Sequence, residues 1–179
     1  MIKKGVLNMN FSLVSSQLKI LDEINRICLS HNYKIWLRGG WAIDFLLGKV
    51  TREHSDIDLV SIIQLRENIE KSMVNAGFEK KTVSLLQTDF QKNDLDVSFI
   101  FVKISNKGNF IANGFPDWEW HKDSLSVQKY HLKGISIAVL NPLQLLEEKK
   151  VYEKGTGRKL RPKDIESMKI IQDIIDSKN

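Results

Sequence analysis

The stretch WLRGGWAIDFLLGKVTREHSDIDLV, residues 36 to 60, constrains what this chain can fold into more than any other. The run YKIWL that leads into it is short and rich in β-forming residues, and Arg38-Gly39-Gly40 stops it, so a strand is predicted to enter a glycine turn. Gly40 to Leu47 reads as a short helix ending near Gly48, and Lys49 to Ser55 is polar enough to be a loop. Ile57 to Ile63, apolar and β-branched, is the second predicted strand.

On a strand, residues two apart face one side, so Asp56 and Asp58 point their carboxylates together while Ile57 enters the core. Two such carboxylates repel, and a hard divalent cation between them removes that cost. Magnesium takes oxygen ligands in an octahedron that phosphate and water complete. Asp96 precedes the β-forming run VSFIFV and can bring a third carboxylate from a neighbouring strand, making Asp56, Asp58 and Asp96 the candidate metal and proton-transfer centre. Gly39 and Gly40 lack a β-carbon and let the backbone approach a bulky anion, with N–H groups of the following helix aimed at phosphate oxygens. Arg52 and His54, on the loop before the acids, can add donors to the same phosphates. Taken singly, each feature has a plainer reading: a solvated strand end, a simple turn, a surface histidine. Their order (strand, Gly-Gly, helix, acid pair, distant third acid) is what points to a metal-bound triphosphate.

The rest of the chain supplies a scaffold. Leu18, Leu21, Ile24 and Cys28 recur at helical spacing between about Ser15 and Ser30, and Leu65, Ile69, Met73 and Ala76 do so in a second helix closed at Gly77. Phe78 to Leu86 is a further expected strand, and Leu95 to Val102 the third central one. Ser105 to Ser124 reads as an irregular excursion, and Val127 to Leu132 with Ile135 to Val139 as a hairpin around Lys133-Gly134. Asn141-Pro142 is a helix start with cap residue and N1 proline. After the basic loop GTGRKLRP, a last helix runs from about Lys163 to Asp176 with Ile165, Met168, Ile171 and Ile175 at core spacing.

Composition closes off several function classes. The formal charge of +5 invites a nucleic-acid partner, but the 27 basic residues are scattered among 22 acids without interleaved aromatics, which describes a mildly basic surface. The single Cys28 forbids a disulfide or a cysteine metal cluster within one chain. No apolar run approaches the roughly 20 residues that cross a bilayer, and MIKKGVLNMN lacks the features of a secretory leader, so a cytoplasmic protein with no membrane partner is expected.

Residues 35 to 60 resemble the nucleotidyltransferase superfamily, whose hallmark is a Gly-Gly or Gly-Ser turn, an Asp-x-Asp pair and a later acid on another strand. More narrowly they resemble the small aminoglycoside 2''-adenylyltransferases, in which Gly-Gly-Trp-Ala-x-Asp leads through Thr-Arg-x-His into Asp-Ile-Asp. The small lincosamide nucleotidyltransferases carry a similar block. The likeness extends more weakly to LDVSF, ISIAVLNPLQLLEEK and LRPKDIESM. It implies an α+β nucleotidyltransferase fold, a mixed sheet of about five strands with helices packed on one face. Residues 1–140 would form the core and 141–179 a short helical region docked on it. It further implies Gly39 and Gly40 as the phosphate turn, Asp56 and Asp58 as Mg2+ ligands, and Asp96 as a third acid acting as general base, metal ligand or both. Arg52, His54 and Lys163, with Lys149 as a companion, would meet the phosphates of ATP. Trp41 and Asp44 also match, Trp41 packing under the turn and Asp44 orienting the loop through hydrogen bonds.

The implied reaction transfers AMP from ATP to a hydroxyl of an antibiotic. A polycationic aminoglycoside asks for a locally acidic, aromatic-lined cleft, for which Asp94, Asp117, Trp118, Glu119, Trp120 and Asp123 are candidates. In the plainer reading Trp118 and Trp120 cover an edge of the sheet. A lincosamide acceptor, transfer to RNA or protein, and a non-catalytic partner of a toxin and antitoxin pair stay open, as do monomer and homodimer.

Overall fold

The computed structural model describes residues 9–112, 119–151, 153 and 157–178. Helix α1 (Phe11–Ser30) begins where the Asn10 side chain accepts the Leu13 N–H, and it buries Leu21, Ile24 and Cys28. Strand β1 (Trp36–Arg38) runs straight into α2 (Gly39–Leu47), which Gly48 closes in the left-handed region at φ 67°. Next come β2 (Asp56–Ile62), α3 (Arg66–Asn75), β3 (Glu79–Val83), β4 (Gln87–Lys92) and β5 (Leu95–Ile104). The short strands β6 (Phe110–Ile111) and β7 (Glu119–Trp120) precede a hairpin, β8 (Lys129–Leu132) and β9 (Ile135–Ala138). Helices α4 (Pro142–Lys150) and α5 (Pro162–Asp176) complete the described chain.

The sheet has the order β1-β2-β5-β4-β3, with β2 and β5 parallel and the other neighbours antiparallel, so it is a mixed sheet of the expected α+β kind. Helices α1 and α2 lie against β2, α1 meets α3, and α5 packs on α2 and α4. The β8–β9 hairpin turns through Lys133 and Gly134, both at positive φ, and docks on β1 through the Leu140 N–H to Leu37 carbonyl bond of 2.9 Å.

Three features differ from the expectation. The segment expected to be one strand, Phe78 to Leu86, contains β3 and then turns into a further strand, β4. In β4 only Thr88 and Phe90 are fully buried, while Gln87, Asp89 and Gln91 face the other way, so its composition hides its periodicity. The Ser105 to Ser124 excursion contains β6 and β7. Helix α5 turns Asp164, Ser167, Ile171 and Ile174 inward and leaves Ile165 exposed, because the buried Asp164 carboxylate is tied to Lys149 and Arg161 and sets the helix rotation.

Candidate active site

Parallel pairing of β2 with β5 sets Asp56 opposite Asp96 and Asp58 opposite Ser98. Antiparallel pairing places Gln91 opposite Asp96 and Asp89 opposite Ser98 on β4, and Arg38 opposite Asp58 on β1. Side chains at paired positions share a face. Four strands therefore deliver Arg38, Asp56, Asp58, Asp89 and Asp96 to one cleft of about 430 Å³, with Lys81 at its side. Asp89 carried no sequence motif, and Arg38, although inside the 36–60 block, was not among the expected site residues; the signal that finds both is cross-strand register.

Burial pushes the Asp58 carboxyl up to about 6; Arg38 opposes the rise, and Asp56 and Glu148 add to it. This is the electrostatic signature of a site short of positive charge. Asp96 accepts a 2.9 Å bond from the Gln91 amide and Asp56 a 3.1 Å bond from the Ser55 hydroxyl. Among the described residues no group of three His, Cys, Asp or Glu side chains stands ready to hold a metal ion. The donors are nonetheless all hard oxygens, and magnesium is commonly held by one or two carboxylates plus substrate phosphates. Asp56 and Asp58 fit that description, with Asp96 beside them on β5.

The glycine turn lies against these acids. Gly39 has φ +67°, and a β-carbon there would stand 2.4 Å from Asp58 Oδ2. A β-carbon on Gly40 would stand 2.3 Å from His54 Nδ1 and 3.0 Å from Arg52 Nη2. His54 itself is only 4% exposed. Its Nε2 bonds Asp44 at 2.6 Å, its ring leans on Trp41 at 4.6 Å, and its carbonyl accepts a 2.9 Å bond from Gln17. Asp44, fully buried, also accepts the Thr51 N–H at 3.2 Å. Asp44, His54 and Trp41 thus form a rigid block beneath the turn, and Nδ1 of His54 faces Gly40.

On the other side of the turn, Gly40, Thr51, Arg52, Lys163, Glu166 and Ser167 line a cavity of about 480 Å³. Burial lowers the Lys163 pKa, neighbouring Arg161 and Arg52 lower it further, and Asp164 and Asp56 oppose them. Lys149 is committed to Asp164 at 2.7 Å. The structure thus gathers Gly39, Gly40, Arg52, Asp56, Asp58, Asp96 and Lys163 around the turn, whereas His54, expected to meet phosphates, is buried beneath it against Asp44, and Lys149 is paired with Asp164.

It does not bring the expected acceptor residues there. Asp94 is exposed in the two-residue β4–β5 turn at φ 60°. Glu119 and Trp120 pair through β6 with Lys103 and Ile104 at the far end of β5. Seven residues of strand separate Asp96 from Lys103, about 23 Å at 3.3 Å per residue. Glu119 is occupied by Ser105 and Asn109, and Trp120 is 0% exposed within the main core. Trp118 and Asp117 lie outside the described residues.

A family model described as aminoglycoside-2''-adenylyltransferase matches residues 19–171. The chain belongs to this family. A 2''-aminoglycoside nucleotidyltransferase of Klebsiella pneumoniae is 39% identical over 63 residues, 35% of this chain and 36% of that protein. A lincosamide resistance protein of Staphylococcus haemolyticus is 39% identical over 44 residues, 25% of this chain and 27% of the relative. The matched stretch thus spans about a third or less of the length of these relatives. The fold is similar to that of ANT(2'')-Ia in complex with adenylyl-2''-tobramycin, with TM-score 0.74, 20% identity and 87% of each chain covered. It is also similar to that of the lincomycin-bound lincosamide adenylyltransferase LnuA, with TM-score 0.69, 21% identity, and 87% of this chain and 96% of that one covered. Family membership and these neighbours agree on the nucleotidyltransferase fold read from the Gly-Gly and Asp-Ile-Asp block.

Proposed function

We propose that this protein transfers AMP from ATP to a hydroxyl of an antibiotic, an aminoglycoside acceptor of the 2'' type, with magnesium, and so confers resistance. The observation that carries the reading is the register of Asp56 against Asp96 beside the Gly39-Gly40 turn, in a family whose matched relative is a 2''-aminoglycoside nucleotidyltransferase. Asp56 and Asp58 would hold magnesium, which would supply charge neutralisation on the transferring and leaving phosphates. The turn and the N-terminus of α2 receive phosphate oxygens, and Arg52 and Lys163 draw the triphosphate into the adjoining cavity. His54 acts from below, fixing the turn against Asp44.

The acceptor hydroxyl oxygen attacks the α-phosphorus, the bond to the β-phosphate oxygen breaks, and pyrophosphate leaves. Asp96, at the β4 side of the acid cleft, takes the hydroxyl proton. Asp89 supplies the negative charge that an amino sugar meets on that side. We place residues 1–140 in the nucleotidyltransferase core and 141–179 in a helical region docked on it, working in the cytoplasm as a monomer or homodimer. Among the described residues no helix is long and apolar enough to cross a membrane.

A lincosamide is the second reading. Arg38 and Lys81 offset part of the acidity of the cleft, which suits an acceptor with less positive charge. Mass spectrometry of products formed from Mg2+, ATP and a panel of aminoglycosides and lincosamides, with Asp56→Asn as control, tests both. A nucleotidylated drug that is missing with the variant supports the function and selects the acceptor. No adduct on any drug refutes it.

A further inference from the structure

The acid cleft holds two cations, Lys81 and Arg38, and Arg38 is the one in register with the acids. Arg38 is the last residue of β1, one position before the turn, and it stands opposite Asp58 in the β1–β2 register. Arg38 lines the acid cleft with Asp56, Asp58, Asp89 and Asp96. An arginine free to choose would settle on that acid pair. Instead Glu148 of α4 takes both of its engaged nitrogens, Nη2 at 3.0 Å and Nε at 3.4 Å. No ion pair within 4 Å joins Arg38 to Asp56 or Asp58, so the carboxylate pair is left available for a cation.

A guanidinium carries five donors in a rigid plane. With one edge held by Glu148, Nη1 donates to no protein acceptor among the described residues, and the side chain keeps 20% of its surface exposed. An arginine guanidinium stays protonated in proteins, so its donors are always available. Removing two charges from water for fold stability alone is poorly rewarded. A fixed fork beside a metal-binding acid pair is, by contrast, the arrangement that recognises phosphate oxygens in two directions.

Resting on the nucleotidyl-transfer reading, we propose that Arg38 binds the α-phosphoryl group of the nucleotide through the guanidinium edge that Glu148 leaves free. Glu148 is then a positioning residue: it orients the fork and holds it off Asp58. Arg52 and Lys163 lie in the adjoining cavity and Lys81 of β3 stands at the side of the cleft, so Arg38 is the cation that strand register sets opposite Asp58.

Calorimetric titration with Mg2+ and ATP, without acceptor, tests this. Arg38→Met alone strands the largely enclosed Glu148 carboxylate, so the decisive protein is the double variant Arg38→Met/Glu148→Gln, checked for folding by its thermal melt. The folded double variant is expected to bind ATP at least tenfold more weakly than wild type, with competition by adenosine changed less than twofold. Arg38→Lys keeps the charge but not the fork, and is expected to fall between the two. Wild-type ATP binding that the folded double variant matches within twofold overturns the inference alone. A loss that adenosine shares equally also overturns it, because the contact would not be to phosphate. Wild-type protein that binds no nucleotide overturns the proposed function and this inference with it.

Discussion

Gly40→Ala tests the rigidity assigned to the block beneath the turn. The added β-carbon would lie 2.3 Å from His54 Nδ1 and 2.7 Å from its Cε1, about 1 Å inside ordinary contact. The ring cannot step aside cheaply, since Asp44 holds Nε2 at 2.6 Å, Trp41 backs the ring at 4.6 Å, and the buried Gln17 holds the His54 carbonyl. Relief requires stretching the Asp44 bond or moving the turn. Overpacking of this kind costs about 1–3 kcal/mol, and the pinned ring argues for the upper half, about 2–3 kcal/mol. For a chain of this size each kcal/mol lowers the melting temperature by about 2–4 °C, giving a drop of about 4–12 °C. Thermal and urea melts of Gly40→Ala, His54→Ala and the double variant check both the size and the cause. In the His54→Ala background the clash is gone, so the same Gly40→Ala change should cost at least about 1 kcal/mol less. A Gly40→Ala protein that melts within 1 °C of wild type, or an equal cost in both backgrounds, would refute the reasoning.

The Asp58 carboxyl is raised by burial to about 6 from an unfolded value near 3.9, so the metal-free native state binds the extra proton. Stability of the metal-free protein should therefore fall as pH rises from about 4 to 6. Asp58→Asn should flatten that slope, and Mg2+ should raise the wild-type melting temperature more at pH 7 than at pH 5. Asp164 behaves oppositely: burial raises its pKa, but hydrogen bonds from Arg161 and Lys149 overcome this and hold it well below the usual range. Asp164→Asn should cost about 2 kcal/mol in urea melts at pH 7, a difference that narrows as pH falls below about 4. In steady-state kinetics with a nucleotidylated drug, Asp89→Asn should raise KM for an amino-sugar acceptor several-fold, whereas Glu119→Gln should leave it within twofold; the reverse outcome would restore the acceptor role to β7.

The elements with strong local signals were legible in the chain. The apolar, β-branched run from Ile57, the helical spacing of α1, the Asn141-Pro142 start and the Lys133-Gly134 turn all appear where their chemistry required. Asn141 does cap α4, accepting the Leu143 N–H at 2.9 Å. Strand β4 was missed for a functional reason. Its outward residues Gln87, Asp89 and Gln91 serve a polar cleft, so half of its alternation carries no apolar signal. Trp120 misled for the converse reason: an aromatic residue between acids reads like a ligand platform, yet long-range packing buries it completely.

The sequence alone determined the local pieces of this site: a double-glycine turn, two carboxylates on one strand face, and a strand-forming run behind the third. Those properties depend on neighbours within a few residues. Which residues meet across the cleft was decided by strand register and helix docking, which couple positions as much as 110 residues apart in this cleft. The Arg38–Glu148 pair has that separation, and β1 delivers one charge while α4 delivers the other. The burial of His54 under Gly40 is of the same kind. Nothing in a loop histidine announces that α1 and α2 will close around it; packing removed its solvent and left its ring facing the turn.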